Sequence, residues 1–133
     1  MTQTYKGSCH CGAVRFECDL DLAQGTSRCN CSICFKQRFW KAIAKAGALR
    51  LVQGKEALSE YSFGRGVIHH FFCSRCGVKT FGRGKTPEMG EFYGVNLAAL
   101  DDATPAELTE APIKYEDGKN DHWERVPAET RHL

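Results

Sequence analysis

A chain of 133 residues, 42% hydrophobic and 26% charged, has room for one domain around one hydrophobic core. Its net charge of +2 is too small to argue for nucleic acid, and no apolar stretch approaches the ~20 residues that span a bilayer. The 13 glycines point to many turns, so the expectation is a single, mostly β domain over residues 1–133 with one or two short helical turns.

In chain order, Met1 to Lys6 leads into Gly7 with no apolar run, unlike a secretory signal, so a cytoplasmic chain with reduced thiols is expected. Ala13 to Asp19 alternates: Val14, Phe16 and Cys18 share one face, Arg15 and Glu17 the other, as in a half-buried strand. Cys18 is then a small core hydrophobe. Ser32 to Phe39 can form a short helix capped by Ser32, its positive end aimed at nearby thiolates. Trp40–Ala46, Leu49–Val52 and Leu58–Phe63 read as short strands. Val67–Cys73 is apolar on both faces and reads as a central strand. Cys73 to Gly77 forms a knuckle whose turn Gly77 permits. Val78–Phe81 and Glu91–Val95 continue the sheet, and Ala98–Leu108 is a loop or short helix. The tail, 112–133, is charged but holds Ile113, Tyr115 and Trp123, so it should pack on the body.

The other seven of the eight cysteines form three clusters: Cys9/Cys11, Cys29/Cys31/Cys34 and Cys73/Cys76. Two pairs can grip opposite edges of a tetrahedron, and the triplet holds three donors within six residues. This suggests a closed four-thiolate site on Cys9, Cys11, Cys73 and Cys76, and an open three-thiolate site on Cys29, Cys31 and Cys34. The competing partition gives the triplet one residue of another pair and strands its partner. Disulfides are the other use of eight cysteines, but spacings of one or two residues make poor intra-cluster bridges. A rubredoxin-like iron centre needs two Cys-x-x-Cys knuckles. Only Cys31/Cys34 and Cys73/Cys76 have that spacing, which leaves the remaining cysteines unexplained.

Gly7-Ser8-Cys9-His10-Cys11-Gly12-Ala13-Val14-Arg15-Phe16, Cys29-Asn30-Cys31-Ser32-Ile33-Cys34 and Phe72-Cys73-Ser74-Arg75-Cys76-Gly77 carry a resemblance in order and spacing. The chain resembles, over about residues 5–100, the glutathione-dependent formaldehyde-activating enzyme family, which includes the centromere protein V type. The resemblance implies an all-β zinc-bound fold with two zinc ions per chain. One is structural, on Cys9, Cys11, Cys73 and Cys76; the other is catalytic, on Cys29, Cys31 and Cys34. Glutathione-type members often carry His between the first two triplet cysteines and Arg after the third. Asn30 and Phe35 stand there, closer to the centromere-protein-like branch.

Three thiolates leave a formal charge of −1 on a divalent zinc, which makes it a weak Lewis acid for water but a plausible host for a fourth thiolate. A free thiol, with a pKa near ~8.5, is only a few per cent ionised at neutral pH. The expected function is therefore a carbon–sulfur lyase or synthase on a thiol–aldehyde adduct, with glutathione and formaldehyde, hence S-hydroxymethylglutathione, as default. The alternative is a non-enzymatic zinc adaptor or a metal or thiol carrier. Glutathione's two carboxylates need cations. Arg28, Lys36, Arg38 and Lys41 bracket the triplet, and Lys36 and Arg38 are the candidates for binding it. His10 should face solvent. His69 and His70 point to opposite faces of one strand; a hydrogen-bonded structural role is favoured for each, although one could border the open site.

Overall fold

The computed structural model describes residues 1–133. It is mostly β, as the turn-rich alternation implies, with ten strands in two sheets. β1 (Gln3–Ser8), β2 (Arg15–Leu20) and β5 (Leu49–Gln53) form a three-stranded antiparallel sheet in the order β1-β2-β5. β3 (Thr26–Cys29), β4 (Trp40–Lys45), β6 (Leu58–Tyr61), β7 (Ile68–Cys73), β8 (Lys79–Thr86), β9 (Gly90–Asn96) and β10 (Ile113–Glu116) form the second sheet. Its order is β10-β3-β4-β9-β8-β7-β6, and only β10 and β3 pair in parallel. Two six-residue helices interrupt the strands: α1 (Ser32–Gln37) and α2 (Pro105–Glu110). No helix is long and apolar enough to cross a membrane.

The core lies where the sheets face each other. The alternation of β2 buries Phe16, Cys18 and Leu20, which pack with Ala42, Ala44, Phe81, Val95 and Leu97 of the larger sheet and its margin. Phe16 meets Phe81 edge to face, with ring centroids 5.7 Å apart. Cys18 is fully buried in this layer and belongs to neither cysteine group, and burial pushes its thiol up to about 12. Cys18→Ala should therefore keep the full metal content and lose only local packing, about 1 kcal/mol of stability. Metal analysis and a melting curve check both; a lost metal equivalent would overturn the packing role.

Several elements differ from expectation. β1 has one large apolar residue, Tyr5, and is a strand because it pairs with β2 along its whole length. β3 buries Thr26 and Ser27, which hide its signal. Thr26 Oγ1 donates to the Pro112 carbonyl (2.7 Å) and accepts from Trp40 Nε1 (2.8 Å). β7 is paired on both sides, yet lies one strand from the sheet edge, next to β6. The cap of α1 is Cys31, in an extended conformation, and Ser32 is the first helical residue. The stretch Ala98–Leu108 overlaps a short 3₁₀ turn, Leu97–Ala99, and α2, whose start Thr104 and Glu107 close with a reciprocal capping box.

Candidate metal centres

The chain brings the cysteines together as one group of four and one of three. Within each group every Sγ lies within 4.8 Å of the others. The group of four joins the two sheets. Cys9 and Cys11 follow β1, whereas Cys73 ends β7 and Cys76 lies in the turn to β8. That turn is tight: the Gly77 N–H donates to the Cys73 carbonyl (2.8 Å), and Gly77 takes φ +78, which a side chain would resist. Cys9–Cys11 and Cys11–Cys73 sulfurs stand 3.7 Å apart. A tetrahedron with ~2.3 Å zinc–sulfur bonds has an edge of about 3.8 Å, so the spacing fits such an ion. Backbone N–H groups already serve two of these sulfurs: Val14 donates to Cys9 Sγ and Arg75 to Cys73 Sγ, both at 3.3 Å. The Cys76 thiol is drawn down to about 6 by backbone hydrogen bonding, and Cys73 is lowered for the same reason. For Cys11, the exposed member, a backbone hydrogen bond from Ala13 lowers the thiol, but desolvation and then its crowded sulfur neighbours push it up to about 11. A cation among the four removes that conflict. His10, between two of the ligands, is exposed as expected.

The triplet sits at the junction of β3 and α1. Cys29 ends the strand, Cys31 caps the helix and Cys34 lies in its first turn. The Cys31 N–H donates to Cys29 Sγ at 3.4 Å. Crowding splits the three thiols. Hydrogen bonds from Cys29 and Cys34 draw Cys31 down to about 2, while Cys34 is pushed far up by Cys29, Cys31 and burial. Phe39 packs against Cys29 and Cys34 and completes a small buried cluster. The donor set, three soft sulfurs converging with none of them in a disulfide, suits zinc.

The C-terminal segment covers one side of the triplet, held there by hydrogen bonds more than by apolar burial, since Ile113 and Trp123 are exposed. Asn30 is the anchor. Its Nδ2 donates to Asp117 (2.8 Å) and its Oδ1 accepts from the Lys119 N–H (2.9 Å). Gly118 fits because it has no side chain: a Cβ there would stand 2.5 Å from Cys29 Sγ and 2.6 Å from the Trp123 ring. The last residues return to α1, where His132 meets Phe35 edge to face and its carbonyl accepts from Arg38 Nη1 (2.9 Å). Between α1 and this segment lies a cavity of about 340 Å³, bordered by Asn30, Phe35, Asp117, Lys119 and His132. A narrower cleft beside Cys29 and Cys34 is bordered by Arg28, Phe35, Arg38 and Phe39.

Of the basic residues read from the sequence, Arg38 reaches that cleft and Lys36 does not; Lys36 is exposed. Lys41 is occupied by Glu116 (2.9 Å), and Arg28 stacks over Trp40 (5.0 Å). The two histidines separate as their alternation implies. His69 faces outward to Glu60 (2.9 Å), and His70 is buried. One residue escaped sequence reasoning. Lys79 is 7% exposed, and its ammonium donates to His70 Nδ1 (2.7 Å) and Gln37 Oε1 (3.1 Å). Alternation with Phe81 could not reveal it, because a shift of register between Phe71 and Phe72 turns Lys79 away from the Phe81 core and toward His70, Gln37 and Phe39.

A family model for the glutathione-dependent formaldehyde-activating enzyme matches residues 4–116. The chain belongs to this family. The match takes in both cysteine groups, both sheets except Gln3, and the first residues of the covering segment. The fold is also similar to the crystal structure of a Rhodobacter sphaeroides protein, a structural-genomics target, with a TM-score of 0.70 and 39% sequence identity. That likeness covers 82% of this chain and 99% of the other. Membership associates the chain with glutathione and formaldehyde and makes the two cysteine groups the natural place to look for its chemistry.

Proposed function

We propose that this protein is a single-domain carbon–sulfur lyase or synthase that joins a thiol to an aldehyde, with glutathione and formaldehyde as its substrates. The observation that carries the reading is the asymmetry of the two cysteine groups, one complete with four sulfurs and one with three, in a member of this family. In the proposed assignment, Cys9, Cys11, Cys73 and Cys76 hold a structural zinc, and Cys29, Cys31 and Cys34 a catalytic one. The catalytic zinc, when bound, supplies a soft Lewis acid that keeps an incoming thiol ionised at neutral pH.

The chain's own residues do the rest. The C-terminal segment, pinned through Asn30 and Gly118, walls one side of the triplet and limits approach to the other. Arg38, with Lys119 across the neighbouring cavity, offers cations for glutathione's carboxylates. Confining the thiol and the carbonyl together replaces a bimolecular encounter. In the addition, a sulfur electron pair forms the C–S bond and the carbonyl π pair moves onto oxygen. The thiol's proton ends on that oxygen, nothing is oxidised, and the reverse step cleaves the adduct. A compartment with reduced thiols, such as the cytoplasm, suits this chemistry.

Cobalt(II) in place of zinc tests the reading. Glutathione should change the cobalt absorption and raise the melting temperature, because it binds only the folded chain. S-methylglutathione, which cannot ionise at sulfur, should do neither at the same concentration. If both metals are present and no thiol alters the spectrum, the enzyme reading fails in favour of a zinc-binding adaptor or carrier.

A further inference from the structure

Lys79 is a buried cation without a carboxylate. None of the protein's ion pairs involves it. Its hydrogen-bond partners, Gln37 Oε1 and His70 Nδ1, are neutral acceptors. His70 is kept neutral by burial and by Lys79 itself, which together push its pKa down to about 4. The Phe63 ring lies parallel to His70 at 5.9 Å and fixes the imidazole plane. The remaining direction of the ammonium leads over the Phe39 ring, whose centroid is 3.8 Å from Nζ. Phe39 packs directly on Cys29 and Cys34, and Gln37 belongs to the helix that carries Cys34.

An isolated buried ammonium is expensive, and it persists where a counter-charge offsets the lost hydration. The triplet provides one. Three thiolates around a divalent ion sum to −1, and Lys79 returns that balance to zero. We propose that Lys79 is the counter-cation of the three-cysteine centre, a positioning residue that strengthens metal binding there and favours entry of a fourth, anionic sulfur. Burial lowers Lys79 to about 8, with Cys34 and Cys31 opposing the shift and Lys41 adding to it. The metal-binding half of the proposal needs only the cysteine group; the fourth-sulfur half rests on the function proposed above.

The test compares Lys79→Met, which keeps length without charge, with Lys79→Arg, which keeps charge. Full-length protein is loaded with cobalt(II) and challenged with a graded chelator in the absence of any thiol. Lys79→Met should retain the four-cysteine metal and the fold. It should release the triplet metal at roughly tenfold lower chelator, the scale of an outer partner's effect on affinity. Lys79→Arg should recover most of that loss. Without triplet metal, Lys79→Met should melt no lower than the parent, because it removes an uncompensated buried charge. A merely structural lysine predicts the reverse, lower melting with unchanged metal release, and that result would overturn the proposal. Should Met prevent folding, Lys79→Gln is the second neutral variant, read by the same titration. Glutathione then tests the other half. Lys79→Met should need roughly tenfold more glutathione to produce the cobalt change; equal affinity would confine Lys79 to metal binding and overturn that half. If the parent shows no thiol response, the proposed function fails while the chelator titration still judges Lys79.

Discussion

Cys76→Ser is expected to leave a chain that does not fold stably, with no cooperative melting transition and aggregation on expression. The four-cysteine group brings the β1–β2 connection and the β7–β8 turn to one point, where a single ion would tie them together. The apolar layer around it is small: Val14, Ala57, Cys9 and Cys73 are its buried residues. Such a layer cannot replace a tetrahedral metal, whose binding to small zinc domains is worth roughly 10–16 kcal/mol, more than the whole stability of most domains. Serine keeps the shape but offers a hard hydroxyl in place of a soft thiolate. The loss should reach the core as well, because the small sheet that packs Phe16 and Cys18 against the large one would lose its tie at Cys9 and Cys11. Circular dichroism and a thermal scan, alongside the zinc content of any soluble fraction, measure the outcome. A Cys76→Ser protein that melts within a few degrees of the parent would show that hydrophobic contact alone joins the sheets.

The candidate site was more legible in the sequence than the topology was. Cysteine spacing is local information, and a soft cation demands a tetrahedral convergence that few partitions satisfy, so the groups of four and three could be read before any fold was known. A strand such as β2 was legible because alternation records which face is buried. β1, β3 and β10 were not. They are short, rich in Thr, Ser and Lys, and become strands through partners far away in sequence, as in the parallel pairing of Ile113–Glu116 with Thr26–Cys29. The same distance hid Lys79. Its burial makes sense only once β8 brings it against Phe39 and the helix of the triplet. Asn30 was legible as a departure from the family pattern, but its work, two hydrogen bonds to a segment nearly ninety residues away, was not.

Cys34→Ser, by contrast with Cys76→Ser, should give a folded protein with one tightly held zinc and no thiol chemistry. Cys34 sits in a six-residue helix at the margin of the larger sheet, away from the Phe16–Phe81 layer, so losing its sulfur leaves both sheets and the four-cysteine group intact. The two sulfurs that remain, Cys29 and Cys31, are too few to hold zinc against a mild chelator. The hydroxyl is nearly isosteric and lies where Phe39 already packs, so the melting temperature should fall by only a few degrees, mostly from the missing metal. The activity change should be far larger. In the proposed function the centre contributes thiolate supply at neutral pH, and without it the thiol–aldehyde reaction should return to its uncatalysed rate. Zinc analysis should give close to one equivalent in Cys34→Ser against two in the parent, and the cobalt form should show no glutathione response. If Cys34→Ser kept two zinc ions and full activity, the open three-sulfur centre would not be the seat of the chemistry. If it failed to fold, the triplet would be a structural site, and the distinction between a closed and an open centre would be lost.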